Sequence, residues 1–230
     1  MNILAVDTST SQLGIGIVTS HEDIFSRRWD EVGHSAPLFT KIDFVISQVG
    51  LGANDIDLLS VISGPGSFTG LRIGMAGLLG WAVSLRLPIQ PVDMFVAMRA
   101  SVPKSLYPLL VVILSRGKEF YAQYAASPDE KNLFDPIVGS VDSVADLPDA
   151  ECRVCGPGSA AFFEQLEDKR KDQFKPSGKE FFVPDMTVVC KKAESLYADR
   201  NDRLENYRIE PYYMTLSQAE LKFKSRERKI

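Results

Sequence analysis

The segment Gly64-Pro65-Gly66-Ser67-Phe68-Thr69-Gly70-Leu71-Arg72-Ile73-Gly74 follows an apolar run at 58–63 and precedes a long helical pattern. Strand, tight turn and helix in that order are the setting in which free backbone amides can hold an anion, a phosphate above all. Glycine tolerates the backbone angles of such a turn, and Ser67 or Thr69 can cap the helix that follows. Asp7-Thr8-Ser9, at the end of the first apolar run, offers a carboxylate and two hydroxyls. Two roles are open to it. Asp7 can accept a metal-bound water while the hydroxyls meet a phosphate, or it can order its own turn by accepting nearby amides.

Other constellations lead away from catalysis. Four residues on from His34 stands Leu38, and the other histidine, His21, falls in a predicted turn. Two histidines so separated do not make a metal site, and His34 reads as a residue at the start of a helix or in a polar contact. Cys152-Arg153-Val154-Cys155 has the spacing of redox and zinc sites, yet only Cys190 remains to join it. In a strand, residues three apart point to opposite faces, so these thiols would not meet. No Ser/His/Asp triad or activated cysteine assembles from local motifs. The tail from Lys222 to Lys229 is basic and can either touch RNA phosphates or stay solvated.

The elements that must position these residues follow a repeated plan. Ile3–Val6, Leu13–Val18 and Ile24–Trp29 read as three strands joined by short turns, which favours an antiparallel meander. Leu38, Phe39, Ile42, Val45, Ile46 and Val49 share one helical face, and a strand at 58–63 leads into a glycine-rich helix at about 69–87. From Pro103 onward the order recurs: strands at 109–114, 119–125 and 136–141, a short helical turn, a strand at 152–155 and a helix at 160–167. Gly-Pro-Gly-Ser stands at 64–67 and again at 156–159, each time between an apolar strand and a helix. Internal duplication is the better explanation, with lobes at 1–102 and 103–230.

Composition sets the bounds. A chain that is 45% hydrophobic and 24% charged can bury a good core, and its net charge of -4 gives no broad attraction to nucleic acid or acidic lipid. Three cysteines, an odd number, fit a reducing compartment rather than a disulfide framework. No basic leader precedes the first strand, and the weakly charged run from Ile73 to Leu85 falls short of a membrane span, so a cytoplasmic location is expected.

Two duplicated βββ-α-β-α halves with Asp-Thr-Ser at the first hairpin resemble the actin-like ATPase (ASKHA, ribonuclease H-like) α/β fold. Asp7-Thr8-Ser9-Thr10, His34-Ser35 and Gly64 to Gly74, taken in order, are similar to the TsaB family, also called YeaZ. The motifs are specific over residues 1–90, and the likeness beyond them rests on pattern. The resemblance implies a non-catalytic partner of the paralogue TsaD in forming threonylcarbamoyladenosine at position 37 of tRNAs that read codons beginning with A. It implies a heterodimer with TsaD, a further partner in the ATPase TsaE, a homodimer when isolated, and only indirect contact with tRNA. It implies no cofactor of its own, with ATP or ADP held, if at all, at a shared interface.

The glycine-rich helix carries the sharpest expectation. Each glycine within a helix costs about 1 kcal/mol relative to alanine, so close approach of another backbone should offset it. The residues leave two partners open for that approach: the chain's own sheet, or a helix of another subunit. The resemblance implies the second, through Ser67, Phe68, Thr69, Gly70, Leu71, Arg72, Gly74, Met75, Gly77, Leu78 and Trp81. It also implies that Asp7, Thr8, Ser9, Gly64 and Gly66 are the vestige of a nucleotide or phosphate site. Where an actin-like site would want a second carboxylate, at the hairpin after the strand at 109–114, this chain has Leu114. The alternative left standing is an ATP-dependent phosphotransferase or hydrolase of the same fold, using Asp7 and the two glycine turns.

Overall fold

Short turns between apolar runs leave the first thirty residues little choice but a meander, and they form one. Strands β1 (Ile3–Asp7), β2 (Gln12–Val18) and β3 (Ile24–Asp30) pair antiparallel, with Asp7 opposite Gly14 and Val18 opposite Ile24. The computed structural model describes residues 1–30, 38–115, 117–128, 133–199 and 207–215. After α1 (Leu38–Ser47), strand β4 (Leu58–Gly64) returns parallel to β1. Helix α2 (Phe68–Leu85) then crosses over to β5 (Ile89–Asp93), and α3 (Met94–Ser101) follows, capped by the Asp93 carboxylate. The sheet order is β3-β2-β1-β4-β5.

The second half contains β6 (Leu109–Leu114), β7 (Phe120–Ala125), β8 (Ile137–Gly139), α4 (Val141–Ala145), β9 (Cys152–Cys155), α5 (Ser159–Gln165) and β10 (Phe174–Pro176). Its order, β8-β7-β6-β9-β10, repeats that of the first sheet position for position. The repeated tetrapeptide is therefore the visible trace of a repeated topology. The short strand β10 was not foreseen, because three residues carry no readable period.

Both sheets are covered on both faces, which is why β1, β4 and β6 are apolar almost throughout. Leu4, Val6, Leu59 and Val61 pack outward against α1 and α2, while Leu110, Val112 and Val154 pack outward beneath α4 and α5. Between the sheets lies one shared core, in which Ile3, Ala5, Leu58 and Ile62 meet Leu109, Val111 and Ile113 around α3 and α6 (Met186–Ala198). Helix α6 comes late in the chain, yet it lies against β1, β2 and β5 of the first sheet. Cys190 on that helix places its thiol 3.4 Å from the carbonyls of both Ile3 and Gly16.

Helix α2 starts where Ser67 Oγ accepts the Gly70 amide at 3.2 Å, and it ends at Arg86, whose φ of 55° is left-handed. Its 18 residues have a mean hydropathy of 1.3, so the helix meets the length and composition of a membrane span, unlike the shorter run 73–85. The same composition serves to pack Leu71, Met75, Leu78 and Ala82 against the chain's own core.

Candidate functional site

The two glycine turns and the two leading hairpins face one another across a cavity of about 570 Å³. From the first lobe come Thr8, Ser9, Thr10, Gly66 and Ser67. From the second come Leu114, Ser115, Tyr121 and Pro157. The site thus lies at the carboxyl ends of the strands, where open α/β sheets ordinarily bind ligands. Gly64 and Gly156 occupy equivalent left-handed positions, with φ of 117° and 103°. A side chain at either would strike backbone, the Tyr212 carbonyl in one case and that of Val112 in the other.

The turns spend their amides internally. Ser67 N–H donates to the Ser9 carbonyl at 2.7 Å, and Gly158 N–H to that of Val112 at 2.9 Å. The first turn is held onto its hairpin by the same groups that would otherwise face an anion. Of the five residues expected to form a vestigial nucleotide or phosphate site, Thr8, Ser9 and Gly66 line the cavity, whereas Asp7 and Gly64 do not. Asp7 is wholly buried. One carboxylate oxygen accepts the Ser9 amide at 2.9 Å and the Ser9 hydroxyl at 2.6 Å, and the other faces Arg28 Nη1 at 3.4 Å. That is the turn-ordering role. Leu114 ends β6 as Asp7 ends β1, and it is exposed at the cavity wall, where it offers no oxygen. No Lys, Arg, Asp or Glu is among the described lining residues.

On α2 the residues expected at the interface divide between the chain's own core and its surface. Gly70, Leu71, Gly74, Met75 and Leu78 are buried within the chain itself. A Cβ on Gly70 would lie 1.9 Å from the Thr8 carbonyl oxygen, and one on Gly74 would lie 2.2 Å from Thr8 Oγ1. Thr8 Oγ1 in turn donates to the Gly70 carbonyl at 2.7 Å. These glycines therefore answer to the hairpin of their own lobe rather than to another subunit. Ser67, Thr69 and Arg72 are exposed, and Phe68, Gly77 and Trp81 are half-buried.

The outward stripe is a different one. Arg72, Ile73, Ala76, Gly80, Val83 and Ser84 are exposed on one side of the helix, and a Cβ on Gly80 would meet nothing within 4 Å. Val83 is 53% exposed, and on α1 Phe39 is 46% exposed with its ring edge-on to Trp81 at 6.1 Å. The α1/α2 layer thus presents an apolar outer face with small residues along its middle.

One contributor escaped the sequence. Residues 207–215 run back over the first lobe, with Tyr212 N–H donating to the Ser63 carbonyl at 2.7 Å. Tyr213 stacks on Phe68 at 4.4 Å and accepts a hydrogen bond from Arg72 Nε at 3.1 Å, and Thr215 Oγ1 meets the Tyr121 hydroxyl at 2.8 Å. Tyr212 to Thr215 form one wall of the cavity. Tyr-Tyr-Met after a proline was the available signal, an aromatic pair in a segment without period.

The thiols behave as the strand geometry required. Cys152 faces the core under α4 and α5, and Cys155 faces the core between the sheets. Burial pushes both thiols up to about 12. His34, Ser35, Arg116 and the basic tail lie outside the described residues.

Two sheets of identical order, with a hairpin and a glycine turn from each facing across a cleft, define an α/β protein of the actin-like ATPase, ribonuclease H-like fold. Residues 31–218 match the sequence model of TsaD, tRNA N6-adenosine threonylcarbamoyltransferase. The chain belongs to that family, and proteins named TsaB are among its relatives. It is 33% identical over 98 residues to the tRNA threonylcarbamoyladenosine biosynthesis protein TsaB of Haemophilus influenzae. That stretch is 43% of this chain and 42% of the relative, so less than half of that protein's length is aligned. An uncharacterized protein of Mycobacterium tuberculosis is 31% identical over 165 residues, which cover 70% of this chain and 75% of that one. The structure of YeaZ from Pseudomonas aeruginosa superposes with a TM-score of 0.72 at 21% identity, over 93% of this chain and 99% of the other. At that identity the likeness speaks for the fold.

Proposed function

We propose that this chain is a non-catalytic partner of a TsaD paralogue in the biosynthesis of threonylcarbamoyladenosine on tRNA, acting in the cytoplasm. The observation that carries the proposal is the apolar outer face of α1 and α2, where Ile73, Ala76, Gly80 and Val83 are exposed on one helix and Phe39 on the other. A face of this kind suits a helix of another subunit packed closely against the small residues. TsaE would join the assembled pair, and tRNA would meet the chain indirectly. The reading as a phosphotransferase or hydrolase is disfavoured, because Asp7 is closed in by Ser9 and Arg28 and its counterpart is Leu114. Any adenine nucleotide would be held at a contact shared with the paralogue, since the described cavity wall offers hydroxyls and rings but no charge.

The test is co-purification with the TsaD protein of the same organism, followed by reconstitution of the tRNA modification with and without this chain. Gly80→Trp should abolish the pairing without lowering the melting temperature of the isolated chain. Pairing that survives this change, or modification that proceeds equally well without the chain, would overturn the proposal.

A further inference from the structure

The two glycine turns are equivalent in the repeat, yet they are covered differently. In the second lobe the left-handed Gly156 makes room for the Val112 carbonyl of its own sheet. In the first lobe Gly64 makes room for Tyr212, whose carbonyl oxygen would lie 2.6 Å from an added Cβ. The first turn is thus shaped to seat residues 207–215, a strap that belongs to neither sheet and contains no helix. The strap is fastened to both lobes. On the first, Tyr212 N–H donates to the Ser63 carbonyl, and Tyr213 stacks on Phe68 and accepts from Arg72. On the second, Thr215 Oγ1 meets the Tyr121 hydroxyl of β7. Between these ends Met214 packs against the shared core. Burial first, and then the carboxylates of Asp93 and Asp135, hold the Tyr212 phenol above the ordinary tyrosine range, so its ring feels charges from both halves of the chain.

We infer that Tyr212 to Thr215 form a movable wall of the inter-lobe cavity, a clasp that lifts as one unit while both lobes stay folded and so admits a bulky uncharged solute. The fastenings are few, and Tyr212 and Tyr213 are exposed. A segment held in this way opens locally at a lower free energy than the sheets beneath it. The other walls do not depend on the strap. Ser67 N–H to the Ser9 carbonyl and Thr8 Oγ1 to the Gly70 carbonyl hold the first-lobe wall, and Ser115 N–H to the Glu119 carbonyl holds the second. The described lining offers hydroxyls and rings but no charge, which is why an uncharged solute suits it. Ser115 Oγ, a buried hydroxyl of the second-lobe wall without a hydrogen-bond partner, is a group that such a solute would satisfy. This device is separate from the partner role proposed above and needs no partner for its test.

Hydrogen exchange of the full chain distinguishes a clasp from a fraying end. If the strap lifts as a unit, the bond at its Thr215 end must control exchange at its Tyr212 end. Tyr121→Phe and Thr215→Val each remove that bond, and each should speed exchange of the Tyr212 amide about fivefold, the equivalent of one ordinary hydrogen bond. Amides of β1 and β4 should keep their rates. A second measurement uses Ser115→Cys, which puts a thiol in the cavity wall. Pyrene maleimide, a bulky neutral reagent, should modify the introduced thiol about fivefold faster once Thr215→Val is added. The buried Cys152, Cys155 and Cys190 report global unfolding and should stay unmodified in both chains. Unchanged exchange at Tyr212 in the two hydroxyl variants would show piecemeal fraying and overturn the inference. So would labelling of the introduced thiol that ignores Thr215→Val, or that rises only together with labelling of the native thiols. If Ser115→Cys folds poorly, the exchange measurement decides alone.

Discussion

Adding one methyl group to α2 should have opposite effects at Gly70 and Gly80. Both glycines lie inside the helix, where alanine is favoured by about 1 kcal/mol. At Gly80 nothing lies within 4 Å of the added Cβ, so Gly80→Ala should gain most of that, roughly 0.5–1 kcal/mol. At Gly70 the added Cβ would sit 1.9 Å from the Thr8 carbonyl oxygen, a backbone atom that cannot swing away. Hairpin and helix must separate, at an overpacking cost of about 1–3 kcal/mol. The Thr8 Oγ1 hydrogen bond to the Gly70 carbonyl is lost with them, about 1 kcal/mol more. After the helical gain, Gly70→Ala should destabilise by about 2 kcal/mol net. Urea unfolding at low protein concentration, followed by far-ultraviolet circular dichroism, should show the midpoint falling for Gly70→Ala and rising for Gly80→Ala. Two shifts of the same sign would refute the claim that the inner glycines serve Thr8 and the outer one serves no contact of the isolated chain.

Three further outcomes are expected. Arg28→Met leaves the Asp7 carboxylate buried without its cation and removes the donor to the Pro184 carbonyl, so stability should fall by about 2 kcal/mol, read from the same urea titration. Cys152 and Cys155 should resist alkylation at pH 8 until the chain is unfolded. Their folded values of about 12 lie above the ordinary 9.0, so the unfolded chain sheds its thiol protons first. This contribution to stability is complete below pH 9 and declines as pH rises toward 12, which unfolding curves across that range should register. Tyr213→Ala, which removes the stack on Phe68, should speed hydrogen exchange at the Tyr212 amide while changing the melting temperature little; unchanged exchange would mean that the stack does not hold this segment down.

Apart from the three-residue β10, the strands and helices of both halves were legible because most have a clean period or an unbroken apolar run. Leu58–Gly64 and Leu109–Leu114 announce themselves as strands covered on both sides, and the two Gly-Pro-Gly-Ser turns announce the repeat. The departure at Leu114 was legible too, since pairing puts it at the end of a strand and the resemblance says what an actin-like site would want there. The inward and outward faces of α2 were not. Apart from Arg72 its residues are apolar or small all round, so periodicity cannot orient it, and the group that fixes Gly70 and Gly74 is Thr8, more than sixty residues earlier in the chain. The path of residues 207–215 was hidden for the same kind of reason. Tyr212 bonds to Ser63 and Thr215 to Tyr121, and no local pattern in a segment of nine residues encodes contacts so distant in sequence.

The position of α6 has a consequence for how the chain is made. Strand β5 completes the first sheet at Asp93, but the helix whose Met186, Val189, Cys190 and Ala193 cover much of its inner face ends only at Ala198. A ribosome adding about 5–20 residues per second needs roughly 5–20 s to travel that distance. Throughout this interval Ile3, Ala5 and Val18 lack the side chains that will bury them. The half of the protein that emerges first is therefore the half that is finished last, and it must wait beside the ribosome, or beside a chaperone, for a helix not yet translated.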